Sequence, residues 1–137
     1  MNILLVEDEP GVALVLEYAL NEAGHKIIGP LSTFKSAYAM ARCHEADLAL
    51  IDINLADGQT GPALAQKLFS DMGIMSLYVT GSGEEWRVPH DGAFGYISKP
   101  YELKAVVESI EAIKTLMEGQ TPAYLPPSLR LFTPAAL

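Results

Sequence analysis

The chain has one cysteine, Cys43, in 137 residues, so no internal disulfide can brace it. That usage suits a reducing cytoplasm. Cys43 lies between Arg42 and His44 and reads as an ordinary surface or half-buried thiol. Basic residues are scarce too: nine Lys and Arg stand against seventeen Asp and Glu, a formal net charge of −8, and the nine form no run. A nucleic-acid surface gathers Lys and Arg into a patch that displaces counterions from phosphate, so the composition counts against such a partner. No apolar run nears the roughly 20 residues needed to span a bilayer. The start, MNILLVEDEP, lacks the basic region of a signal peptide, and three acids break its apolar stretch. Membrane and nucleic-acid partners are therefore not expected, and the expected location is cytoplasmic. His25, His44 and His90 show no metal-ligand spacing and read as surface or structural residues.

What is present is a β/α rhythm. Half the residues are apolar, enough for one cored domain. Apolar strand-like runs at 3–6, 26–28, 48–53, 75–80 and 95–97 alternate with helical patterns at about 10–23, 33–44, 62–72 and 101–118, which predicts a parallel sheet. The first and third runs are almost wholly apolar, as strands covered on both faces must be. Pro10 and Pro62 suit first helical turns, and Gly24 and Gly73 suit helix stops. The interval 81–92 breaks the rhythm. Gly81, Gly83, Pro89 and Gly92 oppose a helix there, and at most one turn near 84–87 is expected. We read it as a loop that becomes more ordered when the domain is activated. Trp86, within it, suits a partner contact or half-buried packing equally. Beyond residue 118 comes GQTPAYLPPSLRLFTPAAL, with four of the nine prolines and one charge. It is too rich in proline for a helix or central strand and too apolar for a spacer, so it reads as an extended tail that docks on something. The expected division is a domain at 1–118 and a Pro-rich apolar tail at 119–137, with no output domain.

Ligands of open parallel α/β sheets bind at the carboxyl ends of the strands. Glu7 and Asp8 follow the first strand, Asp52 closes the third, Thr80 closes the fourth, and Lys99 follows the fifth. Each alone has an ordinary explanation: an acidic helix start for Glu7-Asp8-Glu9, a loop cap for Asp52. Together, three converging carboxylates must hold protons or bind a cation, and hard oxygen ligands suit magnesium or manganese. Beside such a cation an aspartate can attack phosphorus and become an aspartyl phosphate, with Thr80 and Lys99 holding phosphoryl oxygens.

The segments LLVEDEP, LALIDINLADG, LYVTGSG and GYISKP resemble the four signature segments of response-regulator receiver domains of two-component signalling. The resemblance covers residues 1–118 and is specific because all four occur in order. It implies a flavodoxin-like fold with five parallel strands ordered 2-1-3-4-5 and helices on both faces, whereas the residues of 81–92 themselves predict a short or absent fourth helix. It further implies Asp52 as phosphoacceptor, with a magnesium ion held by Glu7, Asp8, Asp52 and the backbone carbonyl of Asn54. Thr80 would be the switch hydroxyl, Lys99 the phosphate cation, Tyr96 the rotating aromatic, and Lys99–Pro100 a cis bond. The implied partners are a histidine kinase or phosphotransfer protein and a downstream protein, with no enzymatic turnover beyond self-catalysed phosphorylation and dephosphorylation. Three departures stand out. Ala56 replaces a common proline, Gly81 a common alanine, and Thr80 and Lys99 are 19 positions apart (99 − 80), about three fewer than usual. The Thr-Gly pair and shortened interval resemble single-domain receivers of alphaproteobacteria associated with kinases of the His-Trp-Glu subclass. Two other functions stay open. One is a receiver-like binding module that is never phosphorylated. The other is an aspartyl-phosphate phosphatase, although Asn54 stands where those enzymes carry a second aspartate. Tyr18, Tyr38 and Tyr101 are read as packing residues.

Overall fold

A computed structural model describes residues 1–81 and 88–132. Its sheet carries six strands in the order β2-β1-β3-β4-β5-β6. β1 (Asn2–Val6), β2 (Lys26–Leu31), β3 (Leu48–Asp52), β4 (Ser76–Thr80) and β5 (Ala93–Ser98) are parallel, and β6 (Leu129–Leu131) runs antiparallel to β5. The helices α1 (Pro10–Glu22), α2 (Phe34–Cys43), α3 (Gly61–Met72) and α4 (Leu103–Met117) connect them. The parallel part has the expected order 2-1-3-4-5. The sheet as a whole has one strand more than the five the sequence predicts, and that strand comes from the tail. Antiparallel addition at an edge needs backbone groups and one apolar face, which a short stretch between prolines can supply without periodicity.

The helices start and stop where local chemistry directs. Pro10 and Pro62 occupy first turns, Thr33 and Ser36 form a reciprocal capping box on α2, and Gly73 ends α3 with φ 69°. β3 is buried along its whole length, as a central strand covered on both faces must be. β2 runs three residues past the expected stop at Ile28, through Gly29-Pro30. It lies at the sheet edge, and its register against β1 shifts between Leu4 and Val6, so the missing proline N–H costs no ladder bond to an outer neighbour.

Alternation along the strands sends side chains into two cores. Ile3, Leu5, Leu50, Leu77 and Ile97 pack with α1 and α4. Leu4, Val6, Ile51 and Tyr78 pack with α2 and α3. Burying each such side chain stabilises the fold by about 1.5–3 kcal/mol, before the chain entropy it must offset. On the second face, over β4 and β5, the described cover is Val88, His90 and Phe132. The expected turn at 84–87 and Trp86 lie outside the described residues. The described remainder of that interval, 88–92, contains no helix. Val88 is buried, and the Tyr78 hydroxyl donates to the Pro89 carbonyl at 3.3 Å.

Among the remaining expectations, His25 is structural: it is buried, and its Nε2 lies 2.9 Å from a Glu111 oxygen on α4. Tyr38 bonds Asp71 at 2.5 Å, tying α2 to α3. Tyr18 is not a packing residue, being 66% exposed on α1. No helix of the described residues is long and apolar enough to cross a membrane.

Candidate functional site

The carboxyl ends of β1 and β3 bring three acids together. Glu7, Asp8 and Asp52 each offer a carboxylate oxygen within 4.8 Å of the others, and Glu7 and Asp52 are buried. Adjacent parallel strands in matched register, with Val6 opposite Ile51, set that spacing. From β5, Lys99 reaches across β4 to place Nζ 2.7 Å from Asp52 Oδ2. The other Asp52 oxygen, Oδ1, accepts the Asn54 backbone N–H at 3.1 Å. Asp52 is thus held at both oxygens. Gly61 explains how the following loop can pack so closely. A Cβ there would lie 2.3 Å from the Asp52 carbonyl oxygen, and its N–H donates to the Ile53 carbonyl. This contact was not anticipated from sequence, where Gly61 sat unremarked before Pro62.

Charge decides what such a cluster can do. Three carboxylates against one ammonium leave a net −2 if all ionise, in a poorly hydrated pocket. The Glu7 carboxyl is pushed from 4.5 up to about 7, first by burial and then by the Asp52 charge, although the Glu9 N–H it accepts opposes the rise. Burial pulls the Lys99 ammonium down, yet its bond to Asp52 and the charges of Asp52 and Glu7 outweigh burial and leave its pKa raised. The Tyr101 phenol, next along from Lys99–Pro100, is also raised, by burial and then by Glu7. The site therefore concentrates negative charge, which favours the protonated form of Glu7 and which a divalent cation would neutralise. The donors fit such an ion: all are hard oxygens, with no sulfur or imidazole among them.

Thr80 ends β4 fully buried, and its carbonyl accepts the Lys99 N–H at 2.7 Å, so the two residues are joined through backbone. Lys99–Pro100 is cis. Asn54 follows the acid pocket on an exposed loop. Tyr96 is half-buried on β5, with its ring centroid 6.1 Å from that of Phe132. The fold thus gathers Glu7, Asp8, Asp52, Thr80 and Lys99 at one edge, whereas Tyr96 sits further back along β5, facing the tail.

This fold with this pocket defines a class, and comparison with known proteins agrees. Residues 3–111 match the response regulator receiver domain family, and the chain belongs to it. It is 32% identical over 104 residues to the phyllosphere-induced regulator PhyR of Methylorubrum extorquens, covering 74% of this chain and 39% of that one. It is 26% identical over 113 residues to the transcriptional regulatory protein PdtaR of Mycobacterium tuberculosis, covering 80% and 55%. The PhyR receiver domain of Erythrobacter litoralis, solved by solution NMR, superposes with a TM-score of 0.74 at 25% identity, over 90% of this chain and 95% of that one. The chain spans about half the length, or less, of these curated relatives. Receiver domains are signalling modules rather than classical enzymes.

Proposed function

We propose that this domain accepts a phosphoryl group on Asp52 in a magnesium-dependent reaction and signals by changing a protein-interaction surface. The observation that carries the reading is the Lys99–Asp52 contact of 2.7 Å beside the oxygens of Glu7 and Asp8. That arrangement supports a reading of Asp52 as nucleophile, Lys99 as cation for phosphate and the three carboxylates as a hard-metal ligand set.

One Asp52 oxygen attacks the phosphorus of a phosphohistidine, on a kinase or phosphotransfer protein. An O–P bond forms as the P–N bond breaks, and the departing imidazole keeps that electron pair and takes a proton. Bound magnesium supplies charge neutralisation for the transferring phosphoryl group. Glu7, Asp8, Asp52 and the Asn54 carbonyl would hold it. Lys99 passes from the carboxylate to a phosphoryl oxygen, and Thr80 donates its hydroxyl to another. Both residues lie where β4 and β5 end, so their displacement is felt along those strands.

A donor's approach is suggested by an open cleft of about 700 Å³ beside the pocket, lined by Val12, Val15, Leu16, Lys99, Tyr101 and Leu103. Next to it α1 exposes Leu14, Val15 and Tyr18, at 66%, 51% and 66%. Adjacent exposed apolar side chains of this kind mark a protein contact. The test is intact-mass measurement after incubation with phosphoramidate and magnesium. Wild type should gain one phosphoryl group and Asp52→Asn none, both remaining folded. Equal phosphorylation of the two proteins would refute the assignment.

A further inference from the structure

The tail is seated on β5 in a way the phosphoacceptor chemistry does not use. Leu129, Arg130 and Leu131 pair with Ile97, Tyr96 and Gly95. The Ser98 N–H donates to the Ser128 carbonyl at 3.1 Å, and the Phe132 N–H to the Phe94 carbonyl at 2.9 Å. Bonded pairs alternate in antiparallel ladders, so Tyr96 and Arg130, between those two, are bonded as well. Leu129 packs with the α1–α4 core. Phe132 turns to the other face, where its ring stacks on His90 at 3.8 Å and meets Tyr78 and Tyr96 at 6.4 and 6.1 Å.

Gly95 makes the approach possible. A Cβ there would meet the Arg130 carbonyl oxygen at 2.1 Å, and its three nearest neighbours all belong to Arg130 and Leu131. The β5 edge is thus shaped to receive an extended backbone. The occupant it now holds is short: three paired residues, tethered through Pro122, Pro126 and Pro127, with Tyr124 and Leu125 exposed at 55% and 45%. Few paired residues mean a low opening energy, so this contact is the kind that exchanges.

We propose that the β5 edge is a strand-addition site for an extended partner segment ending in an aromatic residue, and that residues 128–132 occupy it as an internal competitor released by phosphorylation. The tail itself displays the chemistry that fits: main-chain pairing across Gly95–Ser98 and a ring between Tyr78, His90 and Tyr96. Release follows from position. β5 is clasped between β4 and β6, and its last bonds on the two sides fall on neighbours: Lys99 N–H to Thr80, Ser98 N–H to Ser128. A shift of Lys99 and Thr80 toward a phosphoryl group therefore displaces the strand end on which the tail is registered. Coupling is reciprocal, so a tail that favours the resting site must disfavour the phosphorylated one.

The release step rests on the phosphoacceptor reading; the edge itself does not. The test uses the full chain and a fluorescein-labelled peptide of its own sequence PPSLRLF, followed by anisotropy. R130P removes the central tail N–H without touching packing, because Arg130 is exposed, and F132A removes the ring. Each should bind the peptide at least about tenfold more tightly than wild type, whose tail competes at high effective concentration. G95A should displace the tail and also block the peptide, so G95A/R130P should not bind. Phosphorylated wild type, its occupancy read by intact mass, should bind like R130P. Peptide binding to R130P no tighter than to wild type, or unaffected by G95A, overturns the edge site. Acyl phosphate that forms without change in peptide affinity overturns the release. If no acyl phosphate forms, the phosphoacceptor reading fails instead, and the R130P and G95A contrast still decides the edge.

Discussion

The carboxyl end and the outer edge of β5 are built on different physics. At its carboxyl end Lys99 joins a pocket where charge dominates, held by Asp52, Glu7 and Asp8. Along its outer edge, main-chain bonds and one ring, Phe132, hold the tail. Charge-built contacts depend on the identity of each side chain. Backbone-built contacts depend on geometry and on the absence of a side chain at Gly95. Substitution should therefore act sharply at the first and locally at the second.

The largest effect is expected at Lys99. Lys99→Ala should slow phosphorylation from a small phosphodonor by about 10²-fold, the usual loss when a positioned charge partner is removed. A rate within a few-fold of wild type would show that the 2.7 Å contact is only structural. Asp8→Ala should weaken magnesium binding by about tenfold or more, since even outer partners of metal ligands carry that much. Superimposable titrations of mutant and wild type would remove Asp8 from the ligand set.

Glu7 tests the stored charge itself. Its folded-state pKa is raised from 4.5 to about 7, so its protonated form contributes stability that is complete below 4.5 and lost as pH rises through about 7. Glu7→Gln removes that loss. In metal-free denaturant melts the variant should match wild type near pH 4 and exceed it near pH 8 by on the order of 3 kcal/mol. A gain independent of pH would point to packing rather than charge. The smallest effect belongs to the tail: Arg130→Pro should lower global stability by only about 1.4 kcal/mol, the equivalent of a tenfold competition, because a short edge strand opens locally. Amides of 129–132 should nonetheless lose most of their exchange protection. A cooperative loss of stability across the whole sheet would erase the contrast between the charged end and the backbone-paired edge.

That contrast also explains what could be read from sequence. Asp52, Thr80 and Lys99 were legible because each closes or follows an apolar run, and parallel sheets gather such ends at one edge. The order of the parallel strands followed from the same rhythm together with the family resemblance. β6 was not legible as a strand, because edge pairing leaves no alternation long enough to see among prolines. The tail's docking follows from Tyr124, Leu125, Leu129, Leu131 and Phe132 in the sequence, but not its place, and of these Tyr124 and Leu125 stay exposed. Gly61 and Gly95 carried no signal at all: what each permits depends on backbone arriving from elsewhere in the fold, at Asp52 and at Arg130. Tyr18 went the other way. Its aromatic ring suggested packing, while helix geometry turns it outward beside Leu14.

The central claim is that Asp52 is the group modified, and the most direct measurement locates the phosphoryl group on wild-type protein. Phosphorylation with magnesium, borohydride reduction of the acyl phosphate and peptide mass spectrometry should convert one residue, Asp52, with no conversion in chelator. Reduction at any other carboxylate, or the same yield without metal, would contradict the account.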